Sequence, residues 1–212
     1  MTSPAELIAN QDALCDIGRM FHQRGWSLGT SSNYSVILQE DPLQLLLTAS
    51  GKHKGRLTRN DFVQVDAQGQ PLQQEAPKSS AETLLHVAIA QQTQAKAILH
   101  THSVWATLLS EQFFTQGGFT MTDYEMLKGL DDVKSHEHQE WVTIFDNTQD
   151  IPQLAADLSD RFQQHPEQLT HGFLIRQHGL YTWGDTLADA QRQIEVFEFL
   201  FECIGRRVGV EA

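Results

Sequence analysis

His100-Thr101-His102 closes an apolar run, Ala97-Ile98-Leu99. Side chains two apart on a strand point to one face, so both imidazoles can reach a single metal ion. An isolated His-x-His is more often one packed and one surface histidine. Here a third imidazole is available: His178 stands at the end of another predicted strand, and Gly179 after it can let the backbone turn so that the ring projects. Three neutral imidazoles leave zinc an open position, which a catalytic site needs and a structural site closes with a fourth protein ligand. The expectation is a reactive metal centre on His100, His102 and His178, with zinc suited to the ligands although iron, cobalt and nickel also accept imidazole. The metallo-hydrolase pattern His-x-His-x-Asp-His is excluded, because Val104 and Trp105 stand where Asp and His are required.

The remaining chemistry-bearing residues are less distinctive. His136-Glu137-His138 repeats the spacing, but it lies in a polar run over residues 134–140 ahead of a strand and reads as a solvated loop. His22, His53, His86, His165 and His171 have no partner at metal spacing and are assigned no chemistry. Ser79-x-x-Glu82 is formally a capping box, which by itself explains both residues. Glu125, within Asp123-Tyr124-Glu125-Met126-Leu127-Lys128, has no clear amphipathic setting and is a surface acid or a catalytic one. Three polar turns, at residues 29–33, 48–52 and 79–80, offer hydroxyls and N–H groups that can cradle a phosphate, and they are also ordinary turn punctuation. None is a P-loop or a dinucleotide fingerprint, so a nucleotide substrate has no support.

These groups need elements to place them. Ser3-Pro4-Ala5-Glu6 is a capping box with proline at the first helical position, and Leu7, Leu14, Ile17, Met20 and Phe21 follow at helical spacing until Gly25. Residues 34–38 and 45–48 read as strands around an Asp41-Pro42 turn, and residues 62–65 as a third. A helix is expected from Ser79 or Ser80, carrying Leu84, Leu85, Val87, Ala88 and Ile89 towards the strand of His100. Ser103 can cap a short helix; residues 141–145 read as a strand, 151–164 as a helix and 172–176 as a strand. Thr186-x-x-Asp189 opens the longest helix, with Leu187, Ala190, Ile194, Phe197, Leu200 and Ile204 on its inner stripe. The irregular alternation specifies an α/β class without specifying strand order.

With no long polar or Pro/Gly-rich stretch to divide it, the chain is expected to form one domain over residues 1–212. A formal charge of −12 matches neither nucleic acid nor an anionic membrane. The apolar runs fall well short of the roughly 20 residues that span a bilayer, and the first segment reads as an amphipathic helix, not a signal peptide. Cys15 and Cys203 stand alone, which suggests neither disulfides nor a cysteine metal site and suits a reducing cytoplasm.

Taken together, the three serine-rich turns, Ser79-Ser80-Ala81-Glu82, His100-Thr101-His102 and the late His178-Gly179 resemble the class II aldolase and adducin family in order and spacing over nearly the whole chain. Tyr124-Glu125-Met126-Leu127-Lys128-Gly129, Asp146-Asn147-Thr148 and Arg176-Gln177-His178-Gly179-Leu180-Tyr181-Thr182-Trp183-Gly184 are most similar to a dehydratase branch of that family. The resemblance implies a three-layer α/β/α fold with a central, mainly antiparallel sheet, assembled as a homotetramer with active sites near subunit contacts. It implies one zinc ion per subunit on His100, His102 and His178. It also implies a phosphorylated keto-sugar substrate whose phosphate is held by Asn33, Ser50, Gly51, Ser79 and Ser80, with added charge from Lys52 and Lys54. Glu125 matches the dehydratases' acid/base, a role that suits a pKa raised towards neutrality by partial burial. Glu82 matches an acid that serves the aldolases as base or metal neighbour and that some dehydratases lack, so its catalytic role is open. Aldolase or 4-epimerase chemistry on another short sugar phosphate is the alternative activity, and a non-catalytic scaffold, as in the adducin branch, is the alternative of another class.

Overall fold

The structure is a computed structural model and describes residues 2–211. Its strands are β1 (Asn33–Glu40), β2 (Leu43–Thr48), β3 (Phe62–Asp66), β4 (Ala97–Thr101), β5 (Gly118–Met121), β6 (Glu140–Phe145), β7 (Gly172–Ile175) and β8 (Gly179–Gly184). They form one sheet in the order β3-β2-β1-β4-β8-β7-β6-β5. Neighbours run antiparallel except β6 and β7, which are parallel.

Five α-helices cover the sheet: α1 (Pro4–Gln23), α2 (Thr83–Gln92), α3 (Val104–Gln112), α4 (Ile151–Gln164) and α5 (Leu187–Glu211). Leu14 of α1, Leu109 of α3 and Phe197 of α5 share a buried cluster with Leu99 of β4, whereas Leu85 of α2 and Leu158 of α4 share another with Ile98. Successive β4 residues therefore feed opposite faces, as the period of a strand requires. Helices on both faces make three layers, the α/β/α arrangement that the resemblance implied. They also bury all five residues of β4, which explains why that strand reads as a continuous apolar run and not as an alternation.

Local signals succeed where a side chain caps its own helix. Ser3 accepts from the Glu6 N–H while the Glu6 carboxylate accepts from the Ser3 N–H, and Ser103 accepts from Ala106 at the start of α3. The second expected capping box does not form. Helix α2 begins at Thr83, three to four residues later than expected, because Ser80 Oγ accepts from the Glu82 N–H and the Glu82 carboxylate turns away towards the histidines. Two strands were not anticipated, β5 and β8. β7 and β8 are joined by Arg176-Gln177-His178, a tight connection without the usual Gly or Asn, in which Gln177 itself takes the positive φ of 51°.

Candidate metal centre and pocket

β4 carries His100 to the middle of the sheet, where its ring is fully buried and stacks on Tyr181 of β8 at 3.9 Å between centroids. The chain then leaves the strand, and the His102 N–H donates to the Trp26 carbonyl at 2.8 Å, which holds the second ring beside the first. His178 comes from the β7–β8 connection. The three Nε2 atoms converge: His102 lies 2.7 Å from His100 and 3.0 Å from His178, and His100 lies 3.3 Å from His178. Gly179 has a different reason from the one expected. It does not turn the chain but opens β8, and a Cβ there would sit 2.0 Å from the Thr101 carbonyl oxygen. Only glycine lets β8 and its preceding histidine close against β4.

Electrostatics favour a cation at this convergence. His100 Nδ1 donates to the Leu180 carbonyl at 2.9 Å, so its Nε2 is a lone pair aimed at the other two rings. Burial, reinforced by the neighbouring rings, holds His100 well below the usual imidazole range, and burial pushes His102 down to about 3. Neutral imidazoles are the form that binds metal. Glu82 joins them, with Oε1 3.2 Å from His178 Nε2 and Oε2 3.6 Å from His100 Nε2. Its Oε1 is buried without a hydrogen-bond partner among the described residues. Three imidazole nitrogens and an unpartnered carboxylate oxygen, all within 4.8 Å of one another, fit a divalent ion.

A polar relay holds Glu82 in place. Asn33 Nδ2 donates to Glu82 Oε2 at 2.6 Å and to Ser80 Oγ at 3.3 Å. The Asn33 carbonyl oxygen accepts from His86 Nε2, and His86 Nδ1 accepts from the Ser35 hydroxyl at 2.8 Å. Burial pushes His86 down to about 3, so the neutral ring transmits this orientation at all ordinary pH. His86 thus has a role that its lone position in the sequence concealed. Glu198 is a second such residue: buried in α5, it accepts from the Thr101 hydroxyl between His100 and His102, and burial raises its carboxyl to about 7.

The histidines open onto a cavity of about 300 Å³ bordered by the turns at residues 30–33 and 48–51 and by Ser80, Lys54 and residues 147–149. Asn33, Ser50, Gly51 and Ser80 of the expected phosphate site line it, whereas Ser79 does not. The two lysines separate. Lys52 pairs with Asp61 at 2.8 Å, while Lys54 is buried at the cavity wall, donating to the carbonyls of Lys52 and Thr30. Glu125 is not brought to the histidines of its own chain. It lies in a 3₁₀ turn with its side chain 74% exposed, and the Lys128 ammonium beside it holds its carboxyl below the usual range, the opposite of the expected rise. Among the described residues, no helix is long and apolar enough to cross a membrane.

The family described as Class II Aldolase and Adducin N-terminal domain matches residues 12–204. A methylthioribulose-1-phosphate dehydratase of Marinobacter nauticus is 49% identical over 192 residues, covering 90% of each chain. One of Pseudomonas fluorescens is 48% identical over 204 residues, covering 96% of this chain and 94% of its own. Among solved structures, L-fuculose-1-phosphate aldolase from Thermus thermophilus superposes with a TM-score of 0.72 at 24% identity, covering 98% of both chains. Matched from its first helix to its last, this chain belongs to the class II aldolase and adducin family.

Proposed function

We propose that this chain is a zinc-dependent hydro-lyase that dehydrates 5-methylthioribulose 1-phosphate to 2,3-diketo-5-methylthiopentyl 1-phosphate, a step of methionine salvage. The observation that carries the reading is the convergence of three imidazole Nε2 atoms at the wall of a small polar cavity, in a chain about half identical to named methylthioribulose-1-phosphate dehydratases. His100, His102 and His178 hold the ion. Glu82, oriented by Asn33, faces the same convergence and would offer an ion held there a carboxylate oxygen. When bound, zinc supplies Lewis acidity to the C2 carbonyl and C3 hydroxyl oxygens and so acidifies the C3 proton.

The chain's own residues do the rest. Lys54 and the hydroxyl-bearing turns that include Asn33, Ser50, Gly51 and Ser80 hold the phosphate, and their distance from the histidines sets which carbons face the ion. Ser79, next to Ser80 in the chain, lies outside the cavity lining. The Glu125 carboxylate takes the C3 proton and, as the acid so formed, returns it to the departing C4 hydroxyl, leaving water and an enol that ketonises. Glu125 reaches the site from a neighbouring subunit of a homotetramer; its exposure and its absence from the cavity of its own chain support that arrangement. The thiols of Cys15 and Cys203, both free, suit a reducing cytoplasm.

The test is turnover of 5-methylthioribulose 1-phosphate by purified, metal-analysed protein. Diketone formation with zinc present is the expected result. Aldol fragments, or an epimerised sugar phosphate, would instead assign the centre to aldolase or epimerase chemistry.

A further inference from the structure

Away from that cavity the fold assembles a second set of converging donors from residues that sequence spacing does not connect. His138 lies in the loop before β6, Glu140 is the first residue of β6, and His171 immediately precedes β7. Each offers one ligand atom, and these atoms lie within 4.8 Å of one another. His138 was read as part of a solvated loop and His171 as having no partner. The pairing of β6 with β7 nevertheless brings the two rings to the same carboxylate.

The local geometry repeats that of the first centre. Glu140 Oε2 lies 2.8 Å from His138 Nε2 and 2.9 Å from His171 Nδ1. His171 Nε2 donates to the Asp131 carbonyl at 2.8 Å, just as His100 Nδ1 donates to Leu180. A carbonyl only accepts, so Nε2 carries a proton, and in the neutral form of the ring Nδ1 is the nitrogen that a metal would take. Burial lowers the His171 pKa, but Glu140 and the Asp131 carbonyl outweigh it and hold the ring above the usual imidazole range, so a proton or a metal ion can stand between Nδ1 and Oε2; a backbone carbonyl fixing the far nitrogen is the usual support of a metal-binding histidine. Protons on His171 Nδ1 and His138 Nε2 would satisfy Oε2 and leave Oε1 without a partner. Glu140 is 2% exposed, and its other oxygen, Oε1, is buried with no hydrogen-bond partner among the described residues. A divalent ion uses both nitrogens as they stand and offers the second carboxylate oxygen a partner. His138 and His171 also border a cavity of about 760 Å³, which supplies an entry path and room for water at a remaining position.

We propose that His138, Glu140 and His171 form a second divalent-cation site, of the two-imidazole, one-carboxylate type that suits zinc. An ion there would pin the loop before β6 to the sheet. That loop is joined to the Glu125 segment by the Asp123 N–H, which donates to the His136 carbonyl at 2.9 Å.

The experiment is a zinc count on tag-free protein, stripped with chelator, reloaded with a small excess of zinc and desalted, in wild type, His102→Ala, His138→Ala and the double variant. Two ions per chain are expected in wild type, one in each single variant and none in the double. His138→Ala holding as much zinc as its parent, in either background, would overturn the site. Glu140→Gln, which keeps the side chain's shape, is expected to lose the same single equivalent while the circular-dichroism spectrum stays that of wild type. Retention of that equivalent in Glu140→Gln counts equally against the proposal.

Discussion

Lys52 and Lys54 stand two residues apart and do different work. Lys52 is neutralised by Asp61 at the surface, whereas Lys54 is buried at the cavity wall with its ammonium held by two carbonyls. Burial lowers Lys54 to about 8, against a smaller opposing pull from Glu82. The sign follows directly: below about 8 the side chain is a cation able to meet a phosphate, and above it the charge is lost. A phosphate monoester is already dianionic there, its second pKa being about 6, so ligand ionisation does not offset the loss. KM for the phosphorylated substrate is expected to rise about tenfold between pH 7 and 9, the scale of one charge-assisted hydrogen bond. Lys54→Met is expected to start at the high KM and to show no such rise. Steady-state kinetics across that range decides it, and a parallel rise in both proteins would remove Lys54 from the phosphate site.

At the level of elements, the centre depends on how closely β4 and β8 approach. Their antiparallel register sets His100 opposite Tyr181 and Thr101 opposite Leu180, and the turn bearing His178 follows from that register. At Gly179 the two strands leave no room for a side chain, since any Cβ meets the backbone oxygen of Thr101 and no side-chain rotation relieves it. Gly179→Ala is therefore expected to cost about 3 kcal/mol, at the upper end of overpacking penalties, and to lower Tm by roughly 10 °C for a chain of this size. Because His178 is the preceding residue, the same variant is expected to bind zinc more weakly. Calorimetric unfolding together with zinc titration checks both; an unchanged Tm would show that the strands can part without cost. The relay Ser35–His86–Asn33–Glu82 belongs to this scale too, linking β1 and α2 so that the sheet, and not a mobile loop, aims the fourth group.

For the whole molecule, the question is where Glu125 acts. One chain carries a converged cluster of His100, His102, His178 and Glu82 and an acid that lies elsewhere on its surface, and a symmetric oligomer can unite the two. Glu125→Gln is expected to keep its metal and lose turnover by about 100-fold or more, the scale of general acid/base catalysis. His102→Ala is expected to lose metal and activity together. If the acid serves a neighbour's centre, mixed oligomers of the two inactive variants contain some sites with both groups intact. Random mixing across a symmetric interface should then restore roughly a quarter of wild-type activity. Co-expression with two different tags and purification through both gives the mixed species. Activity no higher than that of the parents would place Glu125 in its own chain's reaction or outside the reaction altogether.

Short-range patterns carried far in this sequence. The capped helices α1 and α3, the amphipathic α4 and α5, and the His-x-His at the end of an apolar strand were all readable, because caps and periodicity act within a few residues of chain. His100, His102 and His178 could be nominated from strand ends alone. Tertiary structure decided the rest. It set the strand order and added β5 and β8, since register depends on partners remote in sequence. It moved Glu82 from a helix cap to the metal centre, because the carboxylate's partners, Asn33 and His178, lie far away along the chain. It gave His86 a neighbour in Asn33 and His171 one in Glu140. A lone histidine in a sequence shows only its own chemistry; what that chemistry does depends on which distant group the fold sets beside it.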